Sequence, residues 1–192
     1  MHTHSNCTLL HIVCKWHDVN HSILDVVFDT CPHEHFDKRD SDGYTPLHLM
    51  CEDCHFDQYV AKRLLQVCDI EARNDGKTPL MLACLYNNVV MIDLLIQSGA
   101  HINMADDRGL PMLHYLVMAC GDIVLISSMF DAIIFDGNDV EEQKMRWLVH
   151  AMQHMNYPVV KFLVRRFRIT EVPRHLNARS NVTTLKWVVG VA

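Results

Sequence analysis

The chain has 192 residues, 49% of them hydrophobic, and a formal net charge of −6. That is enough to bury one substantial core, or one continuous stack of small units, and leaves little room for a two-domain enzyme. The net charge hides an asymmetry: from Arg146 onward eight Lys and Arg stand against the single acid Glu171, whereas 9 basic and 22 acidic residues precede it, so the two ends are expected to meet different surroundings.

The first residues, "MHTHSNCTLLHIVCK", lack a basic leader, an apolar block and a small-residue cleavage site, so an intracellular protein is expected, cytoplasmic or nuclear. Eight cysteines in such a compartment read as reduced thiols, not a disulfide framework. The most apolar stretch, "IVLISSMFDAIIF" at 123–135, is too short for a bilayer and is broken by Ser127, Ser128 and Asp131.

In chain order, "TLLHIVC" (8–14) opens the first helical unit, and "DGYTPLHLM" (42–50) opens the second. "DGKTPLMLACLYNN" followed by "VVMIDLLIQSGAHIN" (75–103) is the clearest, with two helices joined by a short turn and Gly99 placed where a helix end needs a left-handed residue. Thr45 and Thr78 are expected to cap their helices, Pro46 and Pro79 to occupy first helical positions that need no N–H, and Gly43 and Gly76 to open tight turns. Leu80, Ala83, Cys84, Met91, Leu94 and Leu95 recur at helical spacing. The second unit, "CEDCHFDQYVAKRLLQVCDIEA" (51–72), has a stretched helix pair and a shortened loop after Leu65. A fourth unit opens at "PMLH" (111–114). Beyond Cys120 the pattern weakens: "FDGNDVEEQKMR" (135–146) has no recognisable turn finger, "RWLVHAM" (146–152) resembles another opening, and "TTLKWVV" (183–189) a last, partial one.

The spacing settles the repeat: Gly43, Gly76 and Gly109 stand 33 residues apart, and Leu47, Leu80 and Leu113 keep the same interval. Gly43 with "TPLH" and Gly76 with "TPLM" resemble the ankyrin repeat signature, and Gly109 with "PMLH" keeps its Leu and His without the Thr-Pro pair. The resemblance implies an all-α ankyrin-repeat solenoid in a single domain, 1–192, with helix-turn-helix units near 7–38, 39–71, 72–104, 105–141 and 142–174, a partial one at 175–192, and β-turn fingers between them.

Histidines and cysteines are mostly absorbed by this scaffold. Cys14, Cys51 and Cys84 share a slot where the ankyrin pattern has a small buried Ala, which a free thiol can replace. His11, His48 and His114 share the slot whose His ties neighbouring turns in that family. The remainder, Cys31, His33, His35, Cys54 and His55, contains one zinc-type knuckle, short of the four converging ligands zinc wants. No metal and no cofactor is expected, and a metal- or redox-responsive protein, with Cys54 and Cys120 in turns as the candidate thiols, is the alternative from another class. There is no phosphate-binding glycine loop, no His-Glu-x-x-His and no serine elbow, so no catalytic residue is assigned and the chain reads as a non-enzyme.

Repeat arrays of this kind present a concave face of turn tips and inner helices, and the resemblance implies that protein partners bind there. The residues in its variable slots are Trp16, Tyr44, Glu52, Asp53, Asp75, Lys77, Leu85, Tyr86, Asp107, Arg108, Leu110 and Met118. Trp and Tyr anchor protein interfaces, so Trp16, Tyr44 and Tyr86 with Leu85, Leu110 and Met118 are expected to form an apolar stripe. Its acidic rim favours a basic or amphipathic partner. Arg165, Arg166 and Arg168 are expected to face outward as a basic surface suited to an acidic protein patch; nucleic acid is disfavoured by the acidity of the rest of the chain. The last residues carry Trp187, Val188, Val189 and Val191 in a helix with no second helix to cover it, which implies cover by another subunit or by further chain. The expected function is protein–protein interaction as a scaffold or regulatory subunit, with a stoichiometric inhibitor or activator of a kinase or transcription factor as the alternative.

Overall fold

The computed structural model describes residues 6–16, 20–119, 123–132, 140–154 and 156–169. Among the described residues the chain is helical throughout, with ten α-helices and no extended strand: α1 Leu9–Cys14, α2 His21–Thr30, α3 Pro46–Glu52, α4 Gln58–Val67, α5 Pro79–Leu85, α6 Val89–Gln97, α7 Met112–Met118, α8 Ile123–Ala132, α9 Val140–Gln153 and α10 Tyr157–Arg166. Two isolated β-bridges, Asn74 with Lys77 and Ala105 with Pro111, close turn fingers. The chain divides into two compact units, Met1–Met112 and Leu113–Ala192.

In the first unit α3 packs between α1 and α5, and α4 between α2 and α6, giving an inner and an outer helical layer. Local chemistry explains each inner helix. Thr45 and Thr78, both buried, accept the N–H groups of His48 and Met81 at 3.4 Å, and Pro46 and Pro79 start the helices behind them. His48 closes the reciprocal bond, its Nδ1 accepting the Thr45 N–H at 3.2 Å. Leu47, Met50, Leu80, Met81, Met91, Ile92 and Leu95 are fully buried between the layers. Cys14, Cys51 and Cys84 pack among them, and burial pushes each thiol pKa well up, holding it as an unreactive SH.

The finger turns need left-handed backbone. Gly76 has φ +76°, and a Cβ there would stand 2.8 Å from the Asp107 carboxyl carbon of the next finger. Gly76→Ala is therefore expected to cost about 1–2 kcal/mol, since the φ is strained for any L-residue and the neighbouring finger must give way. A urea titration checks this, and an unchanged midpoint would show that the fingers are not held in register.

The stretch in the second sequence unit lies in the turn between α3 and α4, residues 53–57, against 86–88 between α5 and α6; the helices themselves are nearly equal in length. Counting four residues on from Thr8, Thr45 and Thr78 gives Ile12, Leu49 and Leu82. Leu49 and Leu82 are buried, because an inner helix precedes each, while Ile12 is 42% exposed and its neighbour on the same face, Leu9, 52%.

In the second unit α10 packs on α9 and α8. Trp147, Leu148, Ala151 and Met152 of α9 are buried, as are Val159, Val160, Leu163 and Val164 of α10. The fingerless stretch 135–146 is helical from Val140 onward. His114 meets His150 edge to face, ring centroids 4.2 Å apart. Among the described residues no helix is long and apolar enough to cross a membrane. Cys120, Arg174, Arg179 and the apolar end at Trp187–Val191 lie outside the described residues.

Candidate partner-binding face

Hydrogen bonds between groups 32 to 35 residues apart tie the finger tips and inner-helix ends of the first unit together. His11 Nε2 meets the Tyr44 carbonyl at 3.0 Å. Arg73 donates to the Gly76 carbonyl at 2.8 Å, to the Ala105 carbonyl at 2.9 Å and to the Asp107 carboxylate at 3.1 Å, spanning two fingers. Within single fingers, the carboxylate of Asp40 accepts the N–H groups of Asp42 and Tyr44, and that of Asp106 accepts those of Arg108 and Leu110.

On this frame Glu52, the last residue of α3, gathers two of the expected anchors. Its carboxylate accepts the Tyr86 hydroxyl at 2.9 Å and lies near enough to the Tyr44 phenol to raise its pKa. Burial first, and Glu52 second, push both phenol pKa values up, so both tyrosines stay neutral donors. Beside them lies an open cleft of about 640 Å³, with Leu49 and Cys14 at its apolar side and Lys15, Asp40, Asp42, Tyr44, Glu52 and Asp53 around it. Four carboxylates against one ammonium give the cleft a negative field.

The other expected residues are placed as follows. Asp75 and Lys77 pair at 3.0 Å on one finger, and Lys77 first, then Arg108, pull the Asp75 carboxyl below its ordinary range. Asp107 pairs with Arg73 and is exposed, as is Arg108; Leu110 and Leu85 are half-buried. Trp16 is 48% exposed and Tyr86 43%. Asp53 accepts the His55 N–H at 2.8 Å. Met118, half-buried, belongs to the second unit, as do Arg165, Arg166 and Arg168, all exposed at the end of α10. Beside them Leu163 is buried, and Phe162 and Phe167 are half-buried.

Two buried asparagines were not singled out by pattern. Asn88 caps α6 by accepting the Met91 N–H at 3.1 Å, and its amide donates to the carbonyls of Asp53 at 2.8 Å and Met50 at 3.2 Å, at the end of α3. Asn156 does the same in the second unit, accepting from Val159 and donating to the Val117 carbonyl at 3.0 Å. Their 68-residue separation, about two repeat lengths, was the available signal.

Of the thiols and imidazoles left over by the scaffold, Cys31 is half-buried, with its thiol pKa raised by burial, and Cys54 and His55 are exposed. Among the described residues no three His, Cys, Asp or Glu side chains are grouped to hold a metal ion.

A family model for ankyrin repeats in three copies matches residues 10–106, half of the chain. The tyrosine-protein kinase HTK16 of Hydra vulgaris is 28% identical over 159 residues, which cover 81% of this chain and 20% of that protein. The chain thus spans about a fifth of the length of the curated relative it matches. Three family copies over the very segment where Gly43, Gly76 and Gly109 mark the fingers, and two helical layers built on Thr-Pro caps, lead to one conclusion: the chain belongs to the ankyrin repeat family, whose arrays are protein–protein interaction modules.

Proposed function

We propose that this protein is a non-catalytic scaffold or regulatory subunit, working in the cytoplasm or nucleus, that holds a basic, amphipathic segment of a protein partner on the face made by Trp16, Tyr44, Glu52, Asp53 and Tyr86. The observation that carries this reading is the acidic cleft, in which Tyr44 stands among Asp40, Asp42, Glu52 and Asp53, with the Tyr86 hydroxyl held beside it on Glu52. Lysine or arginine side chains of the partner would meet the carboxylates, and its apolar side would lie on the tyrosine rings and Leu49. Asp75, Lys77, Asp107, Arg108, Leu85 and Leu110 extend the face along the fingers.

Among regulatory roles, control of a kinase is favoured over control of a transcription factor, because the similar stretch in Hydra vulgaris is part of a protein named as a tyrosine kinase. An obligate complex, with a subunit covering the apolar C-terminal stretch, is part of the same proposal.

Trp16→Ala with Tyr86→Ala is expected to weaken capture of the stoichiometric cellular partner by at least about tenfold, while leaving helical circular dichroism and melting temperature nearly unchanged. Glu52→Lys should do likewise and should abolish competition by a Lys- and Leu-containing helical peptide. Undiminished capture by both variants would refute the face, and unfolding of the double variant would place those aromatic rings in the core.

A further inference from the structure

We propose that the second unit carries a separate docking groove for an acidic peptide segment of a partner protein, one with apolar anchors between its carboxylates. The groove, about 980 Å³, lies along α10 and reaches Ile123 at the start of α8. Its floor is apolar, from Ile123, Pro158 and Phe162, and its described lining residues include no carboxylate.

Helical register aligns the charges. Tyr157, Lys161 and Arg165 are spaced four apart and share one face of α10, and Arg168, just beyond the helix, joins them in lining the groove. Lys161, Arg165 and Arg168 are all exposed. Like charges a helical turn apart repel, and an arriving carboxylate relieves that repulsion. Attraction of the helix C-terminus for cations accounts for Arg165 and Arg166 in the last turn, but not for Lys161 a turn earlier.

Arg168 supplies an independent observation. It sits two residues beyond α10 with φ +52°, in the left-handed conformation. At the matching position after α6 stands Gly99, φ +94°, the residue that adopts this conformation without strain. An arginine in that slot costs stability that glycine would not, and what it adds is a guanidinium at the mouth of the groove.

A peptide fits better than nucleic acid. The chain as a whole is acidic, with 22 acids against 9 bases before Arg146, which repels an extended polyanion. The apolar floor asks for aliphatic or aromatic side chains between the carboxylates.

The test is fluorescence anisotropy of the full chain with a fluorescein-labelled peptide of Glu and Asp carrying two Leu one helical turn apart. Saturable binding is expected, weakened at least about tenfold by Arg165→Glu with Arg168→Glu, and weakened by raising salt from about 50 to about 300 mM. Arg168→Gly alone is expected to raise the melting temperature while weakening the peptide severalfold, the pair of effects that a purely structural Arg168 would not produce. Should the charge-reversal pair fail to fold, Arg165→Gln with Arg168→Gly gives the same reading. Glu52→Lys should leave peptide binding intact, so failure here and failure of the first-unit face are read separately. No saturable binding by the wild-type chain, equal binding by the charge-reversed chain, or tighter binding of an oligothymidylate or of phosphatidylserine vesicles would each overturn the proposal.

Discussion

Lowering the pH from 7 to about 4 is expected to remove on the order of 3 kcal/mol of stability from the first unit through His48 alone. His48 is fully buried, and its pKa is lowered from 6.5 to about 4, by burial first and by the Arg39 charge second, with the backbone of Lys77 and Ala72 opposing. The structure gives a chemical reason. The Thr45 N–H can only donate, so His48 Nδ1 must accept, and a proton there breaks the bond that closes the helix start. The sign follows from proton counts: between pH 6.5 and about 4 the unfolded chain binds a proton that the folded chain refuses. Stability is therefore complete above pH 6.5 and falls as the pH drops through that window. Burial also lowers the pKa of His150 in the second unit, aided by His154, a shift of the same sign. Urea unfolding across this range measures the slope. His48→Gln should flatten it while keeping the capping bond, because Gln can serve in that position. A slope unchanged in His48→Gln would assign acid sensitivity elsewhere.

Asn88→Ala is expected to cost about 3 kcal/mol, near the top of single-site effects for a side chain of this size. The last carbonyls of a helix have no partner within it. Those of Met50 and Asp53 find one in the Asn88 amide, while the Asn88 oxygen caps α6. Alanine removes the cap, worth about 1 kcal/mol, and leaves buried acceptors unsatisfied at about 1–3 kcal/mol more. Asn88→Asp preserves the cap but sets a carboxylate against carbonyls, so it should rescue little. Thermal and urea unfolding of both variants check this, and a loss below about 1 kcal/mol for alanine would mean that water replaces the amide without penalty. Asn156→Ala in the second unit is the internal control, with the same direction expected.

Much of the fold was legible because its determinants are local. Thr45 and Pro46 carry a helix start within two residues, Gly43 and Gly76 carry a turn, and a 33-residue recurrence is visible without any knowledge of contacts. Cys14, Cys51 and Cys84 could be assigned to the core by slot alone, whereas His48, expected to tie neighbouring turns, bonds Thr45 of its own helix start. The stretched unit was harder: composition marked the extra residues, but whether they lengthened a helix or a turn depended on which side chains found burial.

The binding face was legible only as a set of slots. That Tyr44 and Tyr86, flanking Glu52 in sequence by 8 and 34 residues, converge on its carboxylate depends on how one unit stacks on the next. So does the exposure of Ile12 where Leu49 and Leu82 are buried: aliphatic residues in one slot differ in burial with what packs against them. The repeat, its caps and its family thus follow from the order of residues along the chain, since those signals act over a few bonds. The acidic cleft, the asparagine ties and the groove beside Arg168 were decided by tertiary structure, because their energies arise between groups that only packing brings within hydrogen-bonding or Coulombic reach.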